Sequence, residues 1–194
     1  MTTLSADQQD KLVRYLKKTA ADLEDARTRL RAREERDTEP LAVVGMSCRF
    51  PGADSPDELW DLIAAGRDAI TGFPTDRGWD LERLYDPDPD RLGTSYARAG
   101  GFVPGATTFD ADFFGISPRE ALSMDPQQRM LLELAWEALE DAAIPPASLR
   151  GSDTGVYCGV GPSDYAALPA GAVPQIEGLR LTGGTTSVVS GRIS

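Results

Sequence analysis

The sequence predicts an α/β fold carried behind a long, self-associating N-terminal helix. Three observations predict it. A heptad of apolar residues runs through the first segment of the chain. Two short apolar runs, LAVVGM at 41–46 and TGVYCGVG at 154–161, have the length and β-branched content of buried strands. Between them stands an amphipathic helix with a complete start signal, so helix and strand patterns alternate along one chain.

The heptad comes first. Leu12, Leu16, Thr19, Leu23, Ala26 and Leu30 alternate spacings of four and three within a stretch, about Ser5 to Arg36, that holds no Gly or Pro. Ser5 is placed to cap this helix, with Gln8 at the box position. Charged pairs such as Asp22–Arg29 are expected on its outer faces. Thr19 and Ala26 weaken the seam, and short isolated helices are marginal, so the segment is expected to pair with a second copy. An amphipathic helix folded back on its own body is the competing reading. Lys11, Arg14, Lys17 and Lys18 form a basic stripe with no acid between them, although residues 1–40 as a whole carry nine acids and nine bases.

Glu39-Pro40 ends the helix, and the run 41–46 follows. Ser55, Pro56 and Glu58 open a helix that stops at Gly66. From Arg67 to Gly105 the chain is rich in Pro, Gly and Asp. Trp79, Tyr85, Tyr96 and Phe102 give this excursion aromatic anchors that a disordered linker lacks. In the next helix Asp125 is the N-cap, Pro126 occupies the first turn and Gln128 stands at the box position. Its residues Leu131, Leu134, Ala135, Ala138, Leu139 and Ala142 make an apolar face that requires burial. Pro145-Pro146 ends it. After the second apolar run, with small residues suited to close packing, a Pro- and Gly-rich stretch (162–174) leads to the start of a further helix at GGTTSVVSGRIS.

Composition narrows the function. The 194 residues are 41% hydrophobic and 26% charged, as in a soluble globular protein, with a net charge of −11. An acidic body argues against nucleic acid or an anionic membrane as partner. No apolar run approaches spanning length and no signal peptide is evident, which predicts a cytoplasmic location. The chain has no histidine, which removes the usual base for a serine or cysteine nucleophile. Cys48 and Cys158 fit structural positions in apolar surroundings, and no zinc spacing exists. Asp86-Pro-Asp-Pro-Asp90 reads as a solvated turn, and Gly159-Val-Gly161 as tight packing, not as a dinucleotide fingerprint. No catalytic, cofactor or metal residue is assigned.

The pieces EPLAVVGMSCRFPG, SPDELWDLI, GFPTDRGWDLERLYDPDPD, FFGISPREALSMDPQQRMLLELAWEALEDA, TGVYCGVGPSDY and TTSVVSGRIS, in that order, resemble the N-terminal part of the β-ketoacyl synthase (ketosynthase) domain of modular type I polyketide synthases. The first segment resembles the docking domains that precede such ketosynthases. The resemblance implies a thiolase-like layered αβαβα fold, incomplete here, with a docking coil at 1–38 and the front of a ketosynthase at 39–194, ending before the family's cysteine motif. It implies a parent that performs decarboxylative Claisen condensation of acyl and malonyl-type thioesters carried on the phosphopantetheine of an acyl carrier protein. None of the family's catalytic residues maps onto this sequence, so the chain alone is expected to be inactive and to bind no cofactor itself. The implied partners are a second copy through the coil and the C-terminal docking helix of an upstream subunit, contacted by Leu12, Leu16, Leu23, Leu30, Lys11, Arg14, Lys17 and Lys18. A stand-alone docking protein and half of a ketosynthase completed in trans are the other readings.

Overall fold

The structure, a computed structural model, describes residues 6–162, 165 and 174–194. It divides into two units, residues 1–43 and 44–194. The first is dominated by one helix, α1 (Ala6–Thr38), with an acidic residue in its first turn and Arg36 in its last, both favourable to the helix dipole. The cap expected at Ser5 lies outside the described residues. Asp22 and Arg29 do not pair. They are two turns apart, roughly 10 Å along the axis, and Arg29 instead donates from Nε to the Asp25 carbonyl at 3.4 Å.

The second unit is built from short helices. In α2 (Pro56–Ala64) the Ser55 hydroxyl accepts from the Glu58 amide at 3.2 Å. Glu58 returns the contact one residue earlier than a standard box, accepting from the Asp54 amide at 2.8 Å. Gly66 follows in the left-handed conformation, as a helix stop. The 67–105 excursion is ordered as its aromatic content predicts. A two-residue antiparallel ladder joins β1 (Thr71–Gly72) to β2 (Ala99–Gly100), with the single-turn helix α3 (Leu81–Leu84) between them. Phe73, Trp79 and Phe102 meet at ring separations of 5.9–6.1 Å, with the Arg77 guanidinium over Trp79 and Phe102. Tyr96, in contrast, is exposed and anchors nothing. Asp86 accepts from the Asp88 amide and pairs with Arg91, so the acidic run is a solvated turn.

The centre of this unit is where α4 (Pro118–Ser123), α5 (Pro126–Asp141), α6 (Arg180–Gly184) and α7 (Val188–Ile193) meet. Met124 is fully buried there, with Leu132, Ile176 and Val189 nearly so. A short helix, α4, lies within residues 113–123 and precedes the cap of α5, and its Ser117 hydroxyl accepts from the Glu120 amide. Asp125 caps α5 as predicted, accepting from the Gln127 amide at 2.7 Å. The predicted box partner does not complete that cap. Gln128 is buried and turns its amide toward α6 and α7 instead. The helix ends before the prolines, with Ala143 in a left-handed conformation at the position where glycine is usual.

The two strand predictions are corrected. Neither 41–46 nor 154–161 joins a ladder among the described residues, and their side chains are largely open: Leu41 is 96% exposed, Val43 78% and Tyr157 97%. A strand exists only through its neighbours' hydrogen bonds, and the described chain offers these runs none. The donors near the first run go to α5. The Met46 amide binds the Asp141 carboxylate at 2.8 Å and the Ser47 hydroxyl binds the Leu134 carbonyl at 2.7 Å. The close packing expected of the second run's small residues occurs instead at Gly45, where an added Cβ would lie 2.3 Å from the Ala138 carbonyl oxygen.

Candidate functional site

The residues singled out for partner binding all lie on α1. At roughly 100° per residue, Leu12, Leu16, Thr19, Leu23, Ala26 and Leu30 share one narrow face. The leucines are half or more exposed, at 51%, 60%, 50% and 57% for Leu12, Leu16, Leu23 and Leu30. A contiguous apolar stripe this exposed is the kind of feature that marks interaction surfaces. The four bases occupy the outward face, away from the seam. Lys11 is held by Asp7 at 2.9 Å and Arg14 donates to the Asp10 carbonyl, whereas Lys17 and Lys18 form no ion pair among the described residues. The apolar seam and the basic stripe therefore occupy different sides of α1.

In the second unit an open apolar groove of about 670 Å³ lies along the α5 face. Leu131, Leu134, Ala135 and Ala138 line one wall, with Met46 from the first apolar run, Cys48 just after it, and Tyr157 and Cys158 from the second. The face expected to be buried is thus only half covered. Its periodicity was legible, and its missing cover is the other side of the unpaired runs. Cys48 and Cys158 are half-buried thiols on this groove, not enclosed core residues.

Beside the groove, Arg49 forms an ion pair with Glu137, and its Nη1 donates to the Asp54 carbonyl at 2.6 Å. Burial pushes the neighbouring Glu133 carboxyl above its ordinary value of 4.5, with Glu137 and Asp110 adding to the effect and Arg49 and Arg129 opposing it. A carboxyl raised in the folded state binds more protons there than in the unfolded chain, so its contribution to stability falls as pH rises from 4.5. Glu133→Gln is expected to be the more stable form at pH 7, with the difference closing below pH 4.5. Urea unfolding of both forms across this range checks it, and a gap that widened toward acid would refute it.

The run Gln127-Gln128-Arg129 makes contacts within the second unit. The Gln127 side chain accepts from the Gly161 amide at 3.3 Å, Gln128 joins helices, and Arg129 lies over the Tyr165 ring.

Residues 38–194 match the β-ketoacyl synthase N-terminal domain. The chain belongs to the β-ketoacyl synthase family. Residues 7–35 match the erythronolide synthase docking domain, the segment that α1 forms. Among curated relatives, a phenolphthiocerol synthesis polyketide synthase type I from Mycobacterium marinum is 60% identical over 98% of this chain, which spans 9% of that relative. The pikromycin polyketide synthase component PikAII of Streptomyces venezuelae is 54% identical over 98% of the chain, which spans 5% of it. Two solved ketosynthases share the fold. The oxazolomycin ketosynthase domain OzmH KS7 of Streptomyces albus matches at a TM-score of 0.68 and 36% identity, covering 78% of this chain and 26% of its own. The module 6 ketosynthase of the bacillaene synthase of Bacillus subtilis matches at 0.59 and 35%, covering 78% and 23%. The chain thus corresponds to a docking segment followed by the N-terminal portion of a ketosynthase, in a partial thiolase-like arrangement whose only ladder among the described residues is β1–β2. No described helix is long and apolar enough to cross a membrane.

Proposed function

We propose that this chain is the receiving end of a modular polyketide synthase subunit in the cytoplasm. Residues 1–38 pair with a second copy through Leu12, Leu16, Leu23 and Leu30. The pair then captures an acidic C-terminal helix of an upstream subunit on Lys11, Arg14, Lys17 and Lys18. Residues 39–194 supply the front of a ketosynthase whose parent condenses acyl and malonyl-type units delivered on the phosphopantetheine of an acyl carrier protein. The observation that carries this reading is the open leucine seam on a helix that matches a docking domain.

The test is a titration of the chain with the C-terminal segment of the upstream subunit at low and high salt. Exposed ion pairs contribute about 0.2–1 kcal/mol each and are screened by salt, so binding should weaken as salt rises. Lys17→Glu with Lys18→Glu should reduce affinity about tenfold or more and leave the dimer intact. Binding that ignores both salt and the reversal would remove the basic stripe from the recognition surface.

A further inference from the structure

We infer that one side of α5 carries a binding site for an arginine side chain of a partner polypeptide, formed by an aromatic wall and a surrounding set of carboxylates. The site lies wholly in the second unit and makes no use of α1.

The helix sets the positions. Glu133, Trp136, Glu137 and Glu140 follow one another by three, one and three residues and so share one side of α5. Leu131, Leu134, Ala135 and Ala138 share the opposite side, where the apolar groove lies. Between the first set and the segment 104–114 is an open cavity of about 560 Å³. Its wall includes three rings packed edge to face. Phe113 meets Trp136 at 4.7 Å, Phe114 meets Trp136 at 6.4 Å and Phe113 meets Phe114 at 5.0 Å. Trp136 Nε1 donates to Glu140 Oε1 at 2.8 Å, which holds the indole in place. Phe113 nevertheless stays 55% exposed, so the wall presents an open ring.

Around the rings the charge is one-sided. Asp54, Asp110, Glu133, Glu137 and Glu140 line the cavity, and the sole base on its wall, Arg49, is already paired with Glu137. Glu133 has no ion pair among the described residues, and burial together with Glu137 and Asp110 holds its carboxyl above its ordinary value. A cation placed beside it relieves that repulsion. The rings and acids together select which cation. A metal ion needs oxygens converging at about 2.0–2.6 Å, and no three acidic side chains are so placed among the described residues. A lysine ammonium is a compact, strongly hydrated charge. A guanidinium is flat and more weakly hydrated, and it lies against aromatic rings as Arg77 already does over Trp79 and Phe102 in this unit. Its fixed fork of donors also reaches carboxylates on more than one side. The cavity is open to solvent, which suits a side chain presented by another polypeptide better than a small molecule that must be enclosed.

The test uses the full chain with isotope-labelled tryptophan, whose three indole resonances come from Trp60, Trp79 and Trp136. The probe is the peptide acetyl-Leu-Arg-Leu-amide, with its lysine and citrulline counterparts. The Trp136 resonance, identified by its loss in Trp136→Phe, should shift saturably with the arginine peptide at roughly millimolar concentration. The lysine peptide should bind at least about threefold more weakly. The citrulline peptide, nearly the same shape without the charge, should leave the resonance where it is. Trp60 and Trp79 should not respond to any of the three. Glu133→Gln is expected to be the more stable form at pH 7, so a loss of about tenfold in affinity there reports the site and not the fold. Phe113→Leu keeps every charge and removes the exposed ring, and should weaken the arginine peptide about threefold. A Trp136 resonance that ignores the arginine peptide, or answers the lysine or citrulline peptide equally, would overturn the assignment. So would the same shift produced by calcium chloride alone, or a response that survives Glu133→Gln unchanged.

Discussion

Gly183→Ala is expected to loosen the α4–α6 junction by about 3–4 kcal/mol, combining steric overlap with lost hydrogen bonds. A Cβ at Gly183 would lie 2.0 Å from the Ser123 carbonyl oxygen and 2.5 Å from its carbon. Both are backbone atoms at the end of α4, so no side-chain rotation relieves the overlap and one helix must move. The movement breaks more than a packing contact. The Gly183 carbonyl accepts from the Asp125 amide at 2.9 Å, next to the cap of α5, and the flanking Thr182 and Thr185 carbonyls accept from Gln128. Amide hydrogen exchange at Asp125 should quicken by about two orders of magnitude, the equivalent of roughly 3 kcal/mol. Gly191→Ala is the matched control. It lies in α7 with no atom within 4 Å of the added methyl, and should be neutral or stabilising by up to about 1 kcal/mol through helix propensity. Equal exchange in the two variants would show that the junction yields without cost.

What the sequence made legible was local. The Ser55 and Asp125 caps were readable because a side-chain oxygen and an amide two or three residues on form a contact fixed by spacing alone. The seam of α1 was readable for the same reason, being a repeat within one helix. Helix α4 carries a legible signal too: Ser117-Pro118-Arg119-Glu120 is the same start pattern as Ser55-Pro56-Asp57-Glu58. The strands failed because burial is a relation between segments. An apolar run at 41–46 states what it requires, not whether neighbours are present to supply it. In the described chain that requirement is met only by α5, through Met46 and Ser47, while Leu41 and Val43 stay open. Gln128 failed in the same way. Its spacing from Asp125 suited a box, but distant carbonyls and a guanidinium claimed its side chain.

That claim makes Gln128→Ala the other large expected loss, again about 3–4 kcal/mol. Gln128 is 2% exposed. Its Nε2 donates to the Thr182 and Thr185 carbonyls, at 3.4 and 3.2 Å, around the C-terminal end of α6. Its Oε1 accepts from Arg192 Nε of α7 at 2.8 Å, and Arg192 Nη1 reaches Glu120 of α4 at 2.7 Å. One amide thus joins α5 to α6 and α7, and through Arg192 to α4, and it does so because it carries donors and acceptors together. Alanine leaves the α6 carbonyls and the Arg192 Nε without this partner in a largely dry site, at about 1–3 kcal/mol for each group that water cannot reach. Gln128→Glu separates the two halves of the role. It keeps an acceptor for Arg192 and adds a charge to that contact, but it loses both donations to α6, so the helix-end carbonyls alone register the change. Arg192→Met combined with Gln128→Leu removes both sides of the α5–α7 bond and leaves Glu120, whose side chain is 33% exposed, to water. The double variant should therefore lose less than the sum of its single changes, with a coupling of about 1–3 kcal/mol. Simple additivity would mean that Gln128 and Arg192 hold their helices independently, and that the four-helix junction rests on apolar packing around Met124 alone.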